Sequence, residues 1–151
     1  MTDPLLKYRE QHKHRLNYMP WLYWSLKPKH REWAEQWQAE YQAYLMEMET
    51  VEIGENCFIS PLAHIFAERG RKISIGDNTF IAADCTLHGP LQIGNEVAIN
   101  HHCILDGGRA GIKLHDQVRI AAYSHLYAFD HGMDLERPIY QQAVTSKGIE
   151  I

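Results

Sequence analysis

The chain is poor in several features that would otherwise direct its reading. It has three cysteines in 151 residues, Cys57, Cys85 and Cys103, and none sits in a C-x-x-C pair. An odd, scattered set makes a poor disulfide framework, so all three read as small core residues in a reducing compartment. No apolar run reaches the roughly 20 residues of a membrane span. The N-terminus carries charges where a secretory leader needs an apolar stretch. Basic residues are not in excess: the net charge is −4, which argues against the broad basic face of a general nucleic-acid binder. These absences set the expectation of a cytoplasmic protein with no nucleic-acid partner.

Tryptophan is missing from most of the chain. Trp21, Trp24, Trp33 and Trp37 all precede residue 40, which marks a shift in composition near residue 50. We therefore divide the sequence into a helical arm, 1–50, and a second unit, 51–151. In the arm, residues 5–16 suit a short helix, and Pro20 and Pro28 bracket an aromatic connector. Residues 29–48 suit a longer helix with Trp33, Trp37, Tyr41, Tyr44, Leu45 and Met48 on one stripe. Pro28 fits its first turn. The arm is basic up to Arg31, and from Glu32 to Glu55 every charge is acidic. Two uses follow for such an arm: contact with a membrane surface, or packing against the second unit or a neighbouring subunit.

What the second unit does have is a period of six. In ISIGDNTFIAADCTLHGPLQIGNEVAI, residues 73–99, an aliphatic side chain returns at Ile75, Ile81, Leu87, Ile93 and Ile99. The same spacing holds for Ile53, Ile59 and Ile65 before this stretch, carries on to Leu105, and resumes at Leu114, Ile120 and Leu126. Four residues beyond most of these stands a slim one, among them Cys57, Ala63, Thr79, Cys85, Val97, Cys103, Val118 and Ser124. A helix repeats near 3.6 and a strand at 2. Six residues instead make one short strand and one corner, and three such units close a triangular coil. The aliphatics point inward and stack, the slim residues fit where the interior narrows, and backbone groups pair between coils. Each inward aliphatic is expected to contribute roughly 1.5–3 kcal/mol. Segments 67–72 and 106–111 read as surface loops. A longer one follows Leu126 and lasts to IEI at 149–151, and long loops in compact units are usually functional.

With this repeat on view, the second unit resembles the hexapeptide-repeat acyltransferases, nearest their galactoside and maltose O-acetyltransferase branch. The resemblance implies a mainly β fold: a left-handed parallel β-helix of hexapeptide repeats behind an N-terminal α-helical segment, assembled as a homotrimer. It also implies acetyl-CoA as co-substrate, a sugar-like hydroxyl acceptor, and no metal. The stretch IAAYSHLYAFDH, 120–131, matches the segment that carries the family's catalytic histidine, which places that role on His131. Asn100 in INHHCI matches an acceptor-binding asparagine, with His102 and Asp106 beside it as further acceptor contacts. The chemistry is sound in itself. An alcohol is a weak nucleophile at neutral pH, and an imidazole can take its proton as the oxygen attacks a thioester. Asp130, Asp134 and Glu136 are the candidates for orienting the ring.

Two other readings stand beside this one. Gamma carbonic anhydrases, also β-helices, gather three histidines around a metal, and His88, His102 and His125 are the candidates for such a set. A coil that only trimerises, with an aromatic arm, is the other. The closing residues KGIEI read as the start of a further coil. Because later coils supply much of the family's acyl-CoA channel, we expect a truncated form that binds acetyl-CoA weakly. An interrupted gene and a loop 132–148 folded back as a cap are the alternatives.

Overall fold

The computed structural model describes residues 3–151. The sixfold spacing builds the expected parallel β-helix behind a helical segment. The first coil holds β1 (Val51–Ile53), β2 (Phe58–Ile59) and β3 (His64–Phe66), and the second β4 (Ile73–Ile75), β5 (Phe80–Ile81) and β6 (Thr86–His88). The third holds β7 (Leu91–Ile93), β8 (Ala98–Ile99) and β9 (Ile104–Asp106), and the fourth β10 (Ile112–Leu114), β11 (Arg119–Ile120) and β12 (His125–Tyr127). A last strand, β13 (Ile149–Glu150), lies on β10. The strands form three parallel walls: β1-β4-β7-β10-β13, β2-β5-β8-β11 and β3-β6-β9-β12.

The register stacks like on like. Ile53, Ile75, Ile93 and Leu114 form one column. Ile59, Ile81, Ile99 and Ile120 form the second, and Ile65, Leu87, Leu105 and Leu126 the third. Of these, only Ile53 and Leu126, in the first and last coils, are not fully buried. The slim residues line the corners inside, and all three cysteines are buried free thiols. Each thiol donates to a carbonyl of the following coil: Cys57 to Gly76, Cys85 to Asn100 and Cys103 to Ala121, each at 3.0 Å.

The corner signatures have a specific use. Asp77 Oδ1 accepts the backbone N–H of Glu55, Asn95 Oδ1 that of Asp77, and Asp116 Oδ1 that of Asn95, each at 2.7 Å. This ladder leaves no room beside it. A Cβ on Gly54, Gly76 or Gly94 would lie 2.3–2.5 Å from those carboxyl or amide oxygens. At the next position along this corner, Asn56, Asn78, Glu96 and Gln117 all take positive φ.

The arm contains α1 (Pro4–Tyr18), a 3₁₀ turn (Pro20–Ser25) and α2 (Pro28–Met48). It covers the outside of the second wall, where Tyr23 and Trp37 meet Phe58 at 5.5 and 5.8 Å and Trp24 meets Phe80 at 6.1 Å between ring centroids. The stripe expected on α2 is rotated. Trp33, Ala34, Gln38 and Leu45 are its buried residues, whereas Tyr44 and Met48 are exposed. The reason is that α2 also closes the open end of the coil. Leu45 plugs the interior, and the Gln38 amide pairs with an unpaired strand edge. Its Oε1 accepts Ile59 N–H at 2.7 Å and its Nε2 donates to Ile59 C=O at 3.1 Å. Gln42 Nε2 donates to Cys57 C=O at 2.9 Å.

Candidate active site at the fourth coil

Leaving β12, the chain turns out of the coil at buried Ala128, makes a long excursion and returns at β13. Two backbone hydrogen bonds between Asp130 and Thr145, 2.8 and 2.9 Å, pinch its neck. Ser146 Oγ accepts from the backbone N–H groups of Arg109 and Ala110 at 3.1 and 2.9 Å and donates to Ala128 C=O. The far part is organised around one buried amide. Gln142 Oε1 accepts Asp134 N–H, and its Nε2 donates to the carbonyls of Asp134 and Arg137, all at 2.8 Å. The excursion returns to the first wall, so it does not cover β11 or β12, which end their sheets among the described residues.

His131 lies just past the neck and is exposed. Its backbone N–H donates to Asp130 Oδ1 at 2.9 Å, and its ring meets the edge of Phe129 at 6.2 Å. Its imidazole has no hydrogen-bond partner among the described residues. None of the three acids named from the sequence orients it. The Asp130 carboxylate takes that backbone bond, Asp134 accepts Glu136 N–H at 2.9 Å and faces Arg137 at 3.4 Å, and Glu136 contributes only its backbone. At the neck a cleft of about 300 Å³ is lined by Tyr127, Phe129, Asp130, Thr145 and Lys147, and His131 is not part of its lining. A larger one of about 590 Å³ shares Lys147, Gly148 and Ile149 and runs over the first wall past Lys72 and Lys113. Lys72 pairs with Glu52 at 2.6 Å and Lys113 with Glu150 at 3.5 Å, whereas Lys147 has no ion-pair partner among the described residues. The Glu150 carboxyl is held below its ordinary range by a hydrogen bond with His115 and by Lys113.

The other site residues named from the sequence divide between two corners. Asp106 ends β9 on the same wall as Tyr127, in one cross-strand row with Phe66 and His88. Its Oδ2 is 3.5 Å from His88 Nδ1, and His88 Nε2 is 3.0 Å from Glu68. The structure thus brings Asp106 to the edge from which the His131 loop departs. Asn100 and His102 lie at the opposite corner, between the second and third walls. Asn100 Nδ2 donates to Ile120 C=O at 2.8 Å. His102 takes a φ of 58°, stacks on Tyr123 at 4.7 Å and places Nε2 3.5 Å from Asp84 Oδ2. Tyr18, from the end of α1, donates to that same carboxylate oxygen at 2.8 Å, a bond that also raises the phenol's pKa. The Nδ1 atoms of His101 and His102 are buried without a partner among the described residues.

Sequence reasoning missed Tyr18, Asp84, Gln142 and Lys147. Tyr18 and Asp84 are 66 residues apart, and only the packing of the arm brings them together. His88, His102 and His125, the set considered for a metal, are not gathered. His88 sits between two acids, His102 is at the far corner and His125 is exposed on the third wall. No group of three or more His, Cys, Asp or Glu side chains that could hold a metal ion occurs among the described residues.

Known proteins add to this geometry. No protein-family model matches the chain. Over 55 residues it is 36% identical to dTDP-4-amino-4,6-dideoxy-D-glucose acyltransferase of Escherichia coli, covering 35% of this chain and 29% of that protein. Among solved structures it is similar to AntD, an N-acyltransferase from Bacillus cereus, in two variants of one aspartate, each in complex with dTDP and coenzyme A. The TM-scores are 0.61 and 0.60, the identities 27% and 28%, over 73% and 72% of this chain and 61% of AntD. AntD with dTDP and 3-hydroxybutyryl-CoA matches at a TM-score of 0.52 and 24% identity, over 72% of this chain and 60% of that one, a likeness of fold. The chain therefore spans about three fifths of the solved relatives and under a third of the curated one. The similarity extends over the hexapeptide coil, and the relatives are an amino-sugar acyltransferase and an N-acyltransferase; the galactoside and maltose branch expected from the sequence is not among them.

Proposed function

We propose that this chain carries the acceptor side of a CoA-dependent acyltransferase whose acceptor is a nucleotide-linked sugar, with His131 as general base. The observation that carries the reading is the pairing of two facts: AntD, which shares the coil, was solved with dTDP and coenzyme A, and this chain holds an exposed, unpartnered imidazole in the residue after Asp130, which lines a cleft on that coil. In the reaction, the acceptor's hydroxyl or amine attacks the thioester carbonyl while His131 takes the proton released. A C–O or C–N bond forms, the C–S bond breaks as the tetrahedral intermediate collapses, and the proton passes to the departing thiolate. A backbone N–H facing the carbonyl oxygen would stabilise the intermediate. Lys147, flanked by Lys72 and Lys113, supplies positive charge for the diphosphate that dTDP and coenzyme A have in common.

The finer parts of the reading are proposals of the same kind. Acetyl is our first choice of acyl group. Asn100 and His102 make their contacts with Ile120, Asp84 and Tyr123 at another corner of the coil, so we assign them to the acceptor side of a neighbouring protomer's site in a homotrimer. The exposed Phe66 and Tyr127 on the third wall, which the arm leaves open, suit burial in that assembly. A cytoplasmic location matches three free buried thiols and the supply of CoA thioesters. The test is release of free CoA thiol from acetyl-CoA or 3-hydroxybutyryl-CoA, with dTDP-linked amino sugars and dTDP-linked alcohols as acceptors. Release that requires a nucleotide-linked sugar supports the reading, and release that is independent of acceptor refutes it.

A further inference from the structure

The N-terminal arm has a chemistry that acyl transfer does not use. Through Arg31 it carries seven Lys and Arg residues against two acids, Asp3 and Glu10, in a chain whose net charge is −4. The excess is not neutralised within the fold. Lys13 pairs with Glu10 and Arg31 with Glu35, but Lys7, Arg9, Arg15, Lys27 and Lys29 have no ion-pair partner among the described residues. Arg9 and Lys29 both line a cleft of about 550 Å³ between α1 and α2, together with His12, His30 and Trp33. The two imidazoles are 4.3 Å apart between ring centroids, with no carboxylate between them. Leu5 and Tyr8 line the same cleft, and Leu5 is 70% exposed, Leu6 50% and Tyr8 57%, three apolar side chains on the first turns of α1.

We propose that this face of the arm docks on an anionic phospholipid bilayer, with a lipid phosphate in the cleft between Arg9 and Lys29 and with Leu5, Leu6 and Tyr8 entering the headgroup layer. Charge complementarity chooses an anion, and the exposed apolar side chains choose its source. A free phosphate has no use for exposed leucines beside its site, whereas a helix lying in a bilayer interface needs both a cationic face and an apolar one. No helix among the described residues is long and apolar enough to cross a membrane, so the contact is peripheral. A juxtaposed lysine or arginine strengthens attachment to an anionic surface by roughly fivefold each. The contact would hold the protein at a membrane surface without taking part in the chemistry at His131.

The experiment is co-sedimentation of the full chain with vesicles of phosphatidylglycerol and phosphatidylcholine, against pure phosphatidylcholine, at about 0.1 M salt. We expect sedimentation with the anionic vesicles alone. The double variant Arg9→Gln with Lys29→Gln should bind roughly 25-fold more weakly. Leu5→Ser with Leu6→Ser should also bind more weakly, although every charge is retained. All four side chains lie on the arm's solvent face, so circular dichroism and melting should stay as in the wild type. Equal binding to both vesicle types, or variants that bind like the wild type, would overturn the proposal. Full displacement by millimolar inorganic phosphate would reassign the cleft to a soluble anion. A change of oligomeric state in the charge variants, with lipid binding absent throughout, would make the face a contact between copies of this chain.

Discussion

Replacing Gln38 tests how the coil is closed at its first end. Parallel walls expose a row of unpaired backbone groups at each end, and such an edge recruits other chains. Here α2 lies across that edge and Gln38 acts as a piece of strand, accepting from Ile59 N–H at 2.7 Å and donating to Ile59 C=O at 3.1 Å. Gln38 is 2% exposed and Ile59 is fully buried, so water cannot take its place. Gln38→Leu keeps the volume and leaves one donor and one acceptor buried without partners. At about 1–3 kcal/mol for each orphaned group, the loss is roughly 2–6 kcal/mol, a large part of the ~5–15 kcal/mol that holds a typical domain. Urea unfolding followed by circular dichroism reads it as a lower midpoint at an unchanged slope. Gln38→Glu sharpens the test. A carboxylate can accept from Ile59 N–H but cannot donate to its carbonyl, while a carboxylic acid can do both. Burial raises the pKa of such a group above its unfolded value. The stability it restores is then fully present below the unfolded pKa and lost as pH rises through the folded one. The gap between Gln38→Glu and the wild type should accordingly shrink as pH falls from 7 towards 4.5, while the gap for Gln38→Leu should not. A leucine variant within 0.5 kcal/mol of the wild type, or a glutamate variant whose deficit does not depend on pH, would refute this account of the cap.

Two further outcomes follow from the coil and the arm. Gly94→Ala would put a methyl 2.5 Å from Asp116 Oδ1 and 2.8 Å from Asp116 N, against backbone that cannot retreat without parting two coils. A loss of about 1–3 kcal/mol is expected in the same urea assay, and a variant as stable as the wild type would show that the ladder tolerates a methyl there. His12 has its pKa lowered from 6.5, first by burial and then by His30, Arg15 and Lys29. A base with a depressed folded pKa takes up protons on unfolding, so its contribution is whole above pH 6.5 and is lost as pH falls through the lowered value. His12→Gln should therefore flatten the acid side of the stability curve between pH 6.5 and 5, and an unchanged acid slope would show that the histidine pair does not matter.

The coil was legible because its signal is redundant. Ile75, Ile93 and Leu114 keep step in spite of the loop before Leu114, and the slim residues mark the same two corners in coil after coil. The corner glycines were legible as turns, but not as gaps that admit the side chain of the next coil. The cap was not legible. Gln38 is a polar residue at a helical position, and its role depends on where α2 meets Ile59. That also explains why Tyr44 and Met48, apolar and correctly spaced, face solvent. The site was legible in part. The position of His131 on a loop leaving the fourth coil could be read from the segment 120–131, and so could the length of the loop. The separation of Asn100 and His102 from Asp106 could not, because six residues of sequence correspond here to one whole wall between two corners. The link from Tyr18 to Asp84 joins the two units and has no local trace in either.

A coil, a cleft and an unpartnered imidazole matter to function only if the imidazole moves a proton. Free CoA thiol released from acyl-CoA in the presence of a dTDP-linked sugar acceptor, compared between wild type and His131→Ala, measures that step. The proposed base requires a fall of about 10²–10⁴-fold in turnover, with dTDP affinity by calorimetry unchanged. Turnover in the alanine variant within a few-fold of the wild type would contradict the account.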